Sequence, residues 1–266
     1  MRIQTILLSA FAVASAHAGT AVSDSKKNVV PESQYEAGRG LLTLQGPSGM
    51  FINPTSATLP KGAFTAQYCL FFPKDSTAIV GHGWMASYGI TDWLELGAIS
   101  NLVDLNRPVD KELGVGGPMI RIRLLKDEQW WPQLSVGAYA KFGTHALNQY
   151  TAFAAAYKRV PIDESGVLKS IGFHAGVRGS WFDKEAVKSN SVNPYFGTEF
   201  QLPYRIYLVG EIGTKGNTQG KRDERFPYAF GAQWRLAGVN LSVAGIQPGD
   251  TKKIGVFTGF SFTKGF

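Results

Sequence analysis

The stretch Ile171–Trp181, IGFHAGVRGSW, decides the fold class because two kinds of residue alternate along it without a break. One set is mostly apolar, and the other is small or polar. The two sets are Ile171, Phe173, Ala175, Val177, Gly179 and Trp181, against Gly172, His174, Gly176, Arg178 and Ser180. A period of two places the sets on opposite faces of a β-strand. We therefore expect a strand whose two faces have different surroundings.

Eleven further runs of about ten residues show the same alternation, with turn-rich connectors between them. They are Ala63–Phe72, Gly81–Ile90, Trp93–Ser100, Val115–Leu125, Gln133–Gly143, Gln149–Val160, Val192–Leu202, Ile206–Thr214, Tyr228–Leu236, Val239–Gln247 and Ile254–Phe266. The phase of Gln149–Val160 is ambiguous because alanine dominates it. The pattern predicts an all-β fold: a closed antiparallel up-and-down transmembrane β-barrel of about 12 strands over residues 62–266.

The composition of the two faces indicates which of them looks outward. The apolar face is broad and aromatic, whereas the other is rich in Gly and Ser with scattered Arg, Glu and Gln. A water-facing surface would instead carry many Lys, Glu and Thr residues. Runs of this length are long enough for a tilted strand to cross a membrane. An open sheet edge would leave backbone groups without hydrogen bonds in hydrocarbon, which favours a closed barrel. We expect the apolar face to contact lipid; a soluble sandwich with an aromatic core is the alternative.

The connectors support the same interpretation. With the first strand rising from the periplasm, the turns on that side are short and the loops on the other side are longer. This asymmetry is typical of bacterial outer-membrane barrels.

The overall composition excludes several other classes. The 266 residues include 31 Gly, 13 Pro and 1 Cys, with 18% charged residues and a net charge of +7. These values exclude a collagen, a coiled coil, an acidic disordered chain and a disulfide scaffold. The mean hydropathy of -0.07 excludes a polytopic helical membrane protein.

The N-terminal residues are predicted to be a targeting signal rather than part of the folded protein. Residues 1–18 combine Arg2, a short apolar run and the small-x-small sequence Ala16-His17-Ala18, which together predict a signal peptide. A buried N-terminal helix is the alternative. Residues 19–61 are predicted to be a periplasmic leader and a segment preceding the barrel, of which Gly40–Lys61 is able to fold back into the lumen. The expected location is the outer membrane of a Gram-negative-type bacterium.

Two stretches resemble known outer-membrane proteins. Ile254–Phe266 has alternate apolar residues and a terminal Phe266, and it resembles the C-terminal strand that the barrel-assembly machinery reads; Lys264 departs from that pattern. The sequence Gly49–Ala57, continued to Gly62, resembles the segment that leads into the barrel of YjbH-like proteins. That resemblance implies a link to exopolysaccharide export, and it carries over no functional residue.

The face opposite the apolar one is predicted to line the lumen, and its charged residues are the candidate site. They are Glu95, Arg121, Arg123, Lys141, His174, Arg178, Glu199, Glu211 and Arg235. Two hypotheses stay open. A narrow pore would have a weak preference for anions, since lining charges set selectivity. An ion-paired interior would only neutralise its own charges.

No catalytic, cofactor or metal site is predicted. No H-x-x-x-H or C-x-x-C spacing occurs, and Gly114–Gly117 lacks the following Gly-Lys pair of a phosphate loop. His82, on the apolar face, is the one position suited to a lipid-cleaving enzyme, but an aromatic-girdle role is favoured; His145 lies in a short loop. Cys69 is predicted to be a buried small residue.

The expected function is a small pore or an accessory to envelope or exopolysaccharide export. The alternatives are a structural or surface-interaction barrel with a filled lumen and, less favoured, a lipid-modifying enzyme. Expected partners are outer-membrane lipids and lipopolysaccharide. Basic residues in Lys215–Pro227 offer a contact for lipopolysaccharide phosphates, but a solvated loop is the favoured interpretation of that segment. Nucleic acid is not expected, because the basic residues are dispersed and the chain is predicted to be exported.

Overall fold

The computed structural model describes residues 41–44, 47–74, 78–105, 113–143, 148–163, 165–182, 190–218, 221–236, 238–249 and 253–265. The predicted signal peptide, the leader up to residue 40, His145 and the terminal Phe266 lie outside these described residues.

Twelve long strands form the body of the protein. In chain order they are β3 (Phe64–Phe72), β4 (Ala78–Gly89), β5 (Leu94–Leu105), β6 (Leu113–Leu125), β7 (Gln133–Gly143), β8 (Gln149–Pro161), β9 (Ser170–Phe182), β10 (Ser191–Gln201), β11 (Ile206–Gly213), β14 (Tyr228–Arg235), β15 (Val239–Gln247) and β16 (Gly255–Lys264). Each strand pairs antiparallel with its neighbour in this order, and β16 pairs with β3 to close the barrel. The predicted closed 12-stranded barrel is confirmed.

Strand lengths depart from the prediction mainly in one hairpin. β4 begins at Ala78 and β5 continues to Leu105, beyond the predicted ends at Gly81 and Ser100. Alternation is lost at the adjacent apolar pair Leu102 and Val103, so the pattern alone ended β5 too early. Hydrogen bonding between the two strands continues past that break.

The apolar face looks outward, as expected. Along β9, Phe173, Val177 and Trp181 are exposed, whereas His174 and Ser180 are buried. The ambiguous phase of β8 is settled in the same way, with Phe153 and Tyr157 directed inward. An apolar surface that continues around the barrel suits hydrocarbon rather than water.

Short elements complete the fold. β1 (Leu41–Leu42) pairs with β2 (Ser48–Gly49), and β12 (Asn217–Thr218) pairs with β13 (Lys221–Arg222) in the connection after β11. A 3-10 turn at Pro203–Arg205 joins β10 to β11. Among the described residues, no helix has the length and apolar character needed to cross a membrane.

Candidate functional site

The interior of the barrel is occupied by the chain itself. We call residues 47–61 the plug, because they precede β3 and contact the inner wall along most of their length. Met50, Phe51 and Ile52, at the tip of the plug, are no more than 1% exposed. The lumen is therefore filled at this level.

The tip of the plug is a tight turn that requires glycine. Gly49 forms an isolated antiparallel bridge with Pro54, and the Met50 N–H donates to the Asn53 carbonyl at 3.1 Å. A Cβ on Gly49 would lie 2.0 Å from the Asn53 carbonyl oxygen and 2.7 Å from Pro54 Cα. Any side chain at this position would push the backbone of the turn apart.

Glu211, on β11, holds the tip from the wall. Its Oε1 accepts the N–H groups of Phe51 at 2.7 Å and Ile52 at 2.5 Å. Its Oε2 accepts the Asn53 N–H at 3.1 Å and the Asn53 side-chain amide at 2.9 Å. Three successive backbone donors on one carboxylate form an anion nest, so within the described part of the chain the charge is satisfied by N–H groups.

Arg121, on β6, holds the plug by donating hydrogen bonds, whereas Glu211 accepts them. Its guanidinium donates to the carbonyl oxygen of Ser48 at 2.9 Å, to the Ser48 hydroxyl at 3.2 Å and to the Ala57 carbonyl. Glu95 Oε2 lies 3.9 Å from the Arg121 guanidinium and accepts the Leu59 N–H at 3.0 Å. Both arms of the plug are thus attached to neighbouring strands.

Neutral wall residues bind further main-chain groups of the plug. Gln233 donates to the Met50 carbonyl at 2.8 Å, and the Tyr195 hydroxyl donates to the Pro54 carbonyl at 2.8 Å. Gln133 donates to the Ser56 carbonyl at 2.7 Å. Ser135 donates to this same Ser56 carbonyl. The wall therefore holds the plug largely through its backbone.

Apolar packing adds to these bonds at the tip. Met50, Phe51 and Ile52 belong to a buried cluster with inward-facing wall residues, and the Phe51 ring meets Phe257 edge-on with centroids 6.0 Å apart. The sequence pattern predicted a lumen of small residues and charges, so this apolar layer is a difference. The pattern did not predict this layer because isolated apolar residues that face inward, such as Phe257 and Ile246, are exceptions to the alternation.

A second buried cluster lies on the wall around Glu199. Arg235 donates to its Oε2 at 2.7 Å, the Tyr157 hydroxyl donates to its Oε1 at 2.8 Å, and His174 Nε2 is 3.5 Å away. The Arg235 guanidinium also sits 4.0 Å from the centre of the Tyr207 ring. This group is ion-paired within the wall.

The structure places the predicted lumen residues as follows. Eight of the nine are buried on the inner face: Glu95, Arg121, Lys141, His174, Arg178, Glu199, Glu211 and Arg235. Arg178 donates to the Asn53 side chain at 3.2 Å, and Lys141 lies 5.4 Å from the centre of the Tyr139 ring. Arg123 is only half-buried, near the β5–β6 end where its N–H bonds Trp93.

Several contact residues were not singled out by the sequence. Ser135 and Gln233 already stand on the inward face of the alternation, but nothing marked them as contacts because their partners are backbone atoms of the plug. A search for inward polar residues of every kind, rather than charged ones alone, would have found them.

His82 belongs to an aromatic group on the outer face. Its Nδ1 is 2.7 Å from the Tyr68 hydroxyl, and its ring stacks on Trp84 with centroids 5.6 Å apart. Cys69 is buried on the inner face. Within the described ranges, no group of three or more His, Cys, Asp or Glu side chains is placed to hold a metal ion.

Comparison with solved structures agrees with the geometry. A KdgM porin superposes with a TM-score of 0.53 at 8% identity, covering 75% of this chain and 98% of that one. The COG4313 outer membrane channel from Pseudomonas putida F1 gives 0.53 at 10% identity, with 79% and 97% covered. The chain has the fold of an outer-membrane β-barrel.

Other comparisons add nothing about function. LpxR from Salmonella typhimurium gives a TM-score of 0.48 at 10% identity, with 76% of this chain and 100% of that chain covered. No protein-family model and no curated protein matches this chain, so the YjbH-like resemblance gains no support. At these identities the solved structures speak to the fold alone.

Proposed function

We propose that this protein is an outer-membrane pore that its own plug holds closed at rest. The apolar outer surface and the barrel fold support a location in the outer membrane, with lipids and lipopolysaccharide as its surroundings. In this proposal, solutes pass when residues 47–61 leave the lumen.

One observation carries the proposal: the part of the charged lining around Glu211 and Arg121 is satisfied by the plug through hydrogen bonds that can be exchanged for water. Glu211 binds plug backbone, and Arg121 makes shorter contacts with plug backbone than with the wall carboxylate of Glu95, which lies 3.9 Å away. Removal of the plug would leave a polar, charged passage, which is what conduction needs. The fold likeness to a porin and a channel is consistent with this role.

A structural or surface-interaction barrel with a permanently filled lumen is the second candidate. The burial of Met50, Phe51 and Ile52 favours it, because withdrawing these side chains would expose apolar surface at roughly 1.5–3 kcal/mol each. The two candidates differ in whether the plug can leave.

Two narrower roles are proposed from sequence resemblance alone. An accessory role in exopolysaccharide export depends on the Gly49–Gly62 resemblance, and presentation to the assembly machinery depends on Phe266. For a lipid-modifying enzyme, His82 is the candidate residue, and its Nδ1 lies 2.7 Å from the Tyr68 hydroxyl. Lipid turnover that disappears in His82→Ala would restore that hypothesis, and unchanged lipid profiles would end it.

The deciding experiment compares conductance in planar bilayers for the wild-type protein, Gly49→Ala and Gly210→Ala. A Cβ at Gly49 collides with the plug backbone, whereas a Cβ at Gly210 meets no atom within 4 Å. We expect the wild type and Gly210→Ala to stay mostly closed, and Gly49→Ala to conduct.

The same experiment separates the two candidates. Heat-modifiable gel mobility would first establish that each variant is a folded barrel. A folded Gly49→Ala barrel that never conducts would support the permanently filled barrel instead of the pore.

A further inference from the structure

We propose that the lumen is a binding site for an extended polypeptide segment, which it takes in place of the plug. This inference rests on the proposed function, since the plug must first leave. The occupant is defined by chemistry: a peptide with a short apolar stretch at a turn, flanked by small polar residues.

The wall is arranged to read main-chain atoms. Glu211 accepts three successive N–H groups, and Arg121 donates to two carbonyl oxygens. Glu95, Gln233 and Tyr195 bind one further main-chain group each. Acceptors and donors are thus distributed around the lumen to match the N–H groups and the carbonyl oxygens of a peptide backbone. Sugars and inorganic ions do not present this alternation of amide donors and carbonyl acceptors.

Side chains of the plug supply fewer polar contacts. Asn53 donates to Glu211 and accepts from Arg178, and the Ser48 hydroxyl accepts from Arg121. The apolar tip packs against Phe257, and the buried Met50 sulfur lies against the wall at Gly197, where a Cβ would come within 2.1 Å of it. A different peptide with apolar residues at its turn meets the same requirements.

The test uses the full-length Gly49→Ala protein in detergent, with a fluorescein-labelled synthetic peptide of residues 47–61, PSGMFINPTSATLPK. This variant alters only the resident plug, so the wall residues remain native. Binding is measured by fluorescence anisotropy, which needs no current. Gly89→Ala is a second opened protein, because a Cβ there would lie 2.0 Å from the Pro60 carbonyl oxygen.

Four peptides test whether the wall recognises main-chain groups. The native peptide and one with Ile52→Leu should bind within a few-fold of each other. A peptide N-methylated at Ile52, which loses a hydrogen bond to the Glu211 carboxylate, should bind about tenfold or more weakly. N-methylation at Thr58, which is half-buried near the end of the plug, is the matched control and should change little.

Each outcome is decisive. Equal binding of the two N-methylated peptides would overturn main-chain recognition. No binding to a variant that conducts would overturn the peptide site while leaving the pore intact. No binding to variants that also fail to conduct would overturn both proposals, and the conductance record distinguishes these cases.

Discussion

Replacing Glu211 by alanine should open the barrel, and its contacts set the size of the effect. The carboxylate accepts four hydrogen bonds from Phe51, Ile52 and Asn53. Its loss leaves three buried N–H groups without an acceptor, at about 1–3 kcal/mol each. Allowing for water that enters the space, we expect the closed state to lose about 3–6 kcal/mol. The ratio of closed to open protein should fall roughly 10²- to 10⁴-fold.

Single-channel recording in planar bilayers measures this ratio directly as an open probability. Glu211→Gln should give a smaller increase, because the amide oxygen still accepts while its NH₂ group faces the plug donors. Glu224→Ala is the matched control, since Glu224 is exposed in the connection before β14. An open probability unchanged from wild type in a folded Glu211→Ala barrel would refute the latch role of this carboxylate.

Three further predictions follow from the same contacts. The next test uses Glu211→Ala in which the native Cys69 is replaced by serine. When Ser56→Cys and Ser135→Cys are added to this protein, the two new cysteines should form a disulfide that abolishes the current. Dithiothreitol should restore the current. Arg121→Glu sets a carboxylate against plug carbonyls, so the reversal potential in a KCl gradient should show current shifted toward cations. Glu199→Gln should lower the thermal unfolding midpoint by the equivalent of about 3–5 kcal/mol without opening the lumen, because the buried Arg235 guanidinium loses its negatively charged partner; a midpoint equal to wild type contradicts this.

The barrel itself was predictable because one physical rule governs every strand. Neighbouring residues on a strand face opposite sides, and here the two sides are hydrocarbon and an enclosed interior. The parity of His174 and Arg178 within Ile171–Trp181 was enough to place both inside. Residues such as Phe153 were hidden because alanines on both sides of it erased the contrast between faces.

The plug arrangement was only partly accessible from the sequence. The Gly and Pro content of Gly40–Lys61 indicated an irregular segment, and its length allowed a return into the lumen. Its attachment was not readable, because the wall binds peptide groups that every sequence has. The bonds from Glu211 join residues 158 to 160 positions apart, and no local pattern encodes that pairing.

The use of backbone as counter-charge has a consequence for selectivity. A buried carboxylate and a buried guanidinium usually have to face each other, since each is costly alone. Among the described residues, Glu211 accepts from N–H groups and a side-chain amide of the plug, while Arg121 lies 3.9 Å from Glu95 but makes its shorter contacts with plug oxygens. The wall can therefore carry acidic and basic groups at separate places. Once the plug leaves, Glu211 loses these partners while Arg121 keeps Glu95 nearby, so the open lumen should discriminate weakly between anions and cations, and single substitutions such as Arg121→Glu should shift its preference readily.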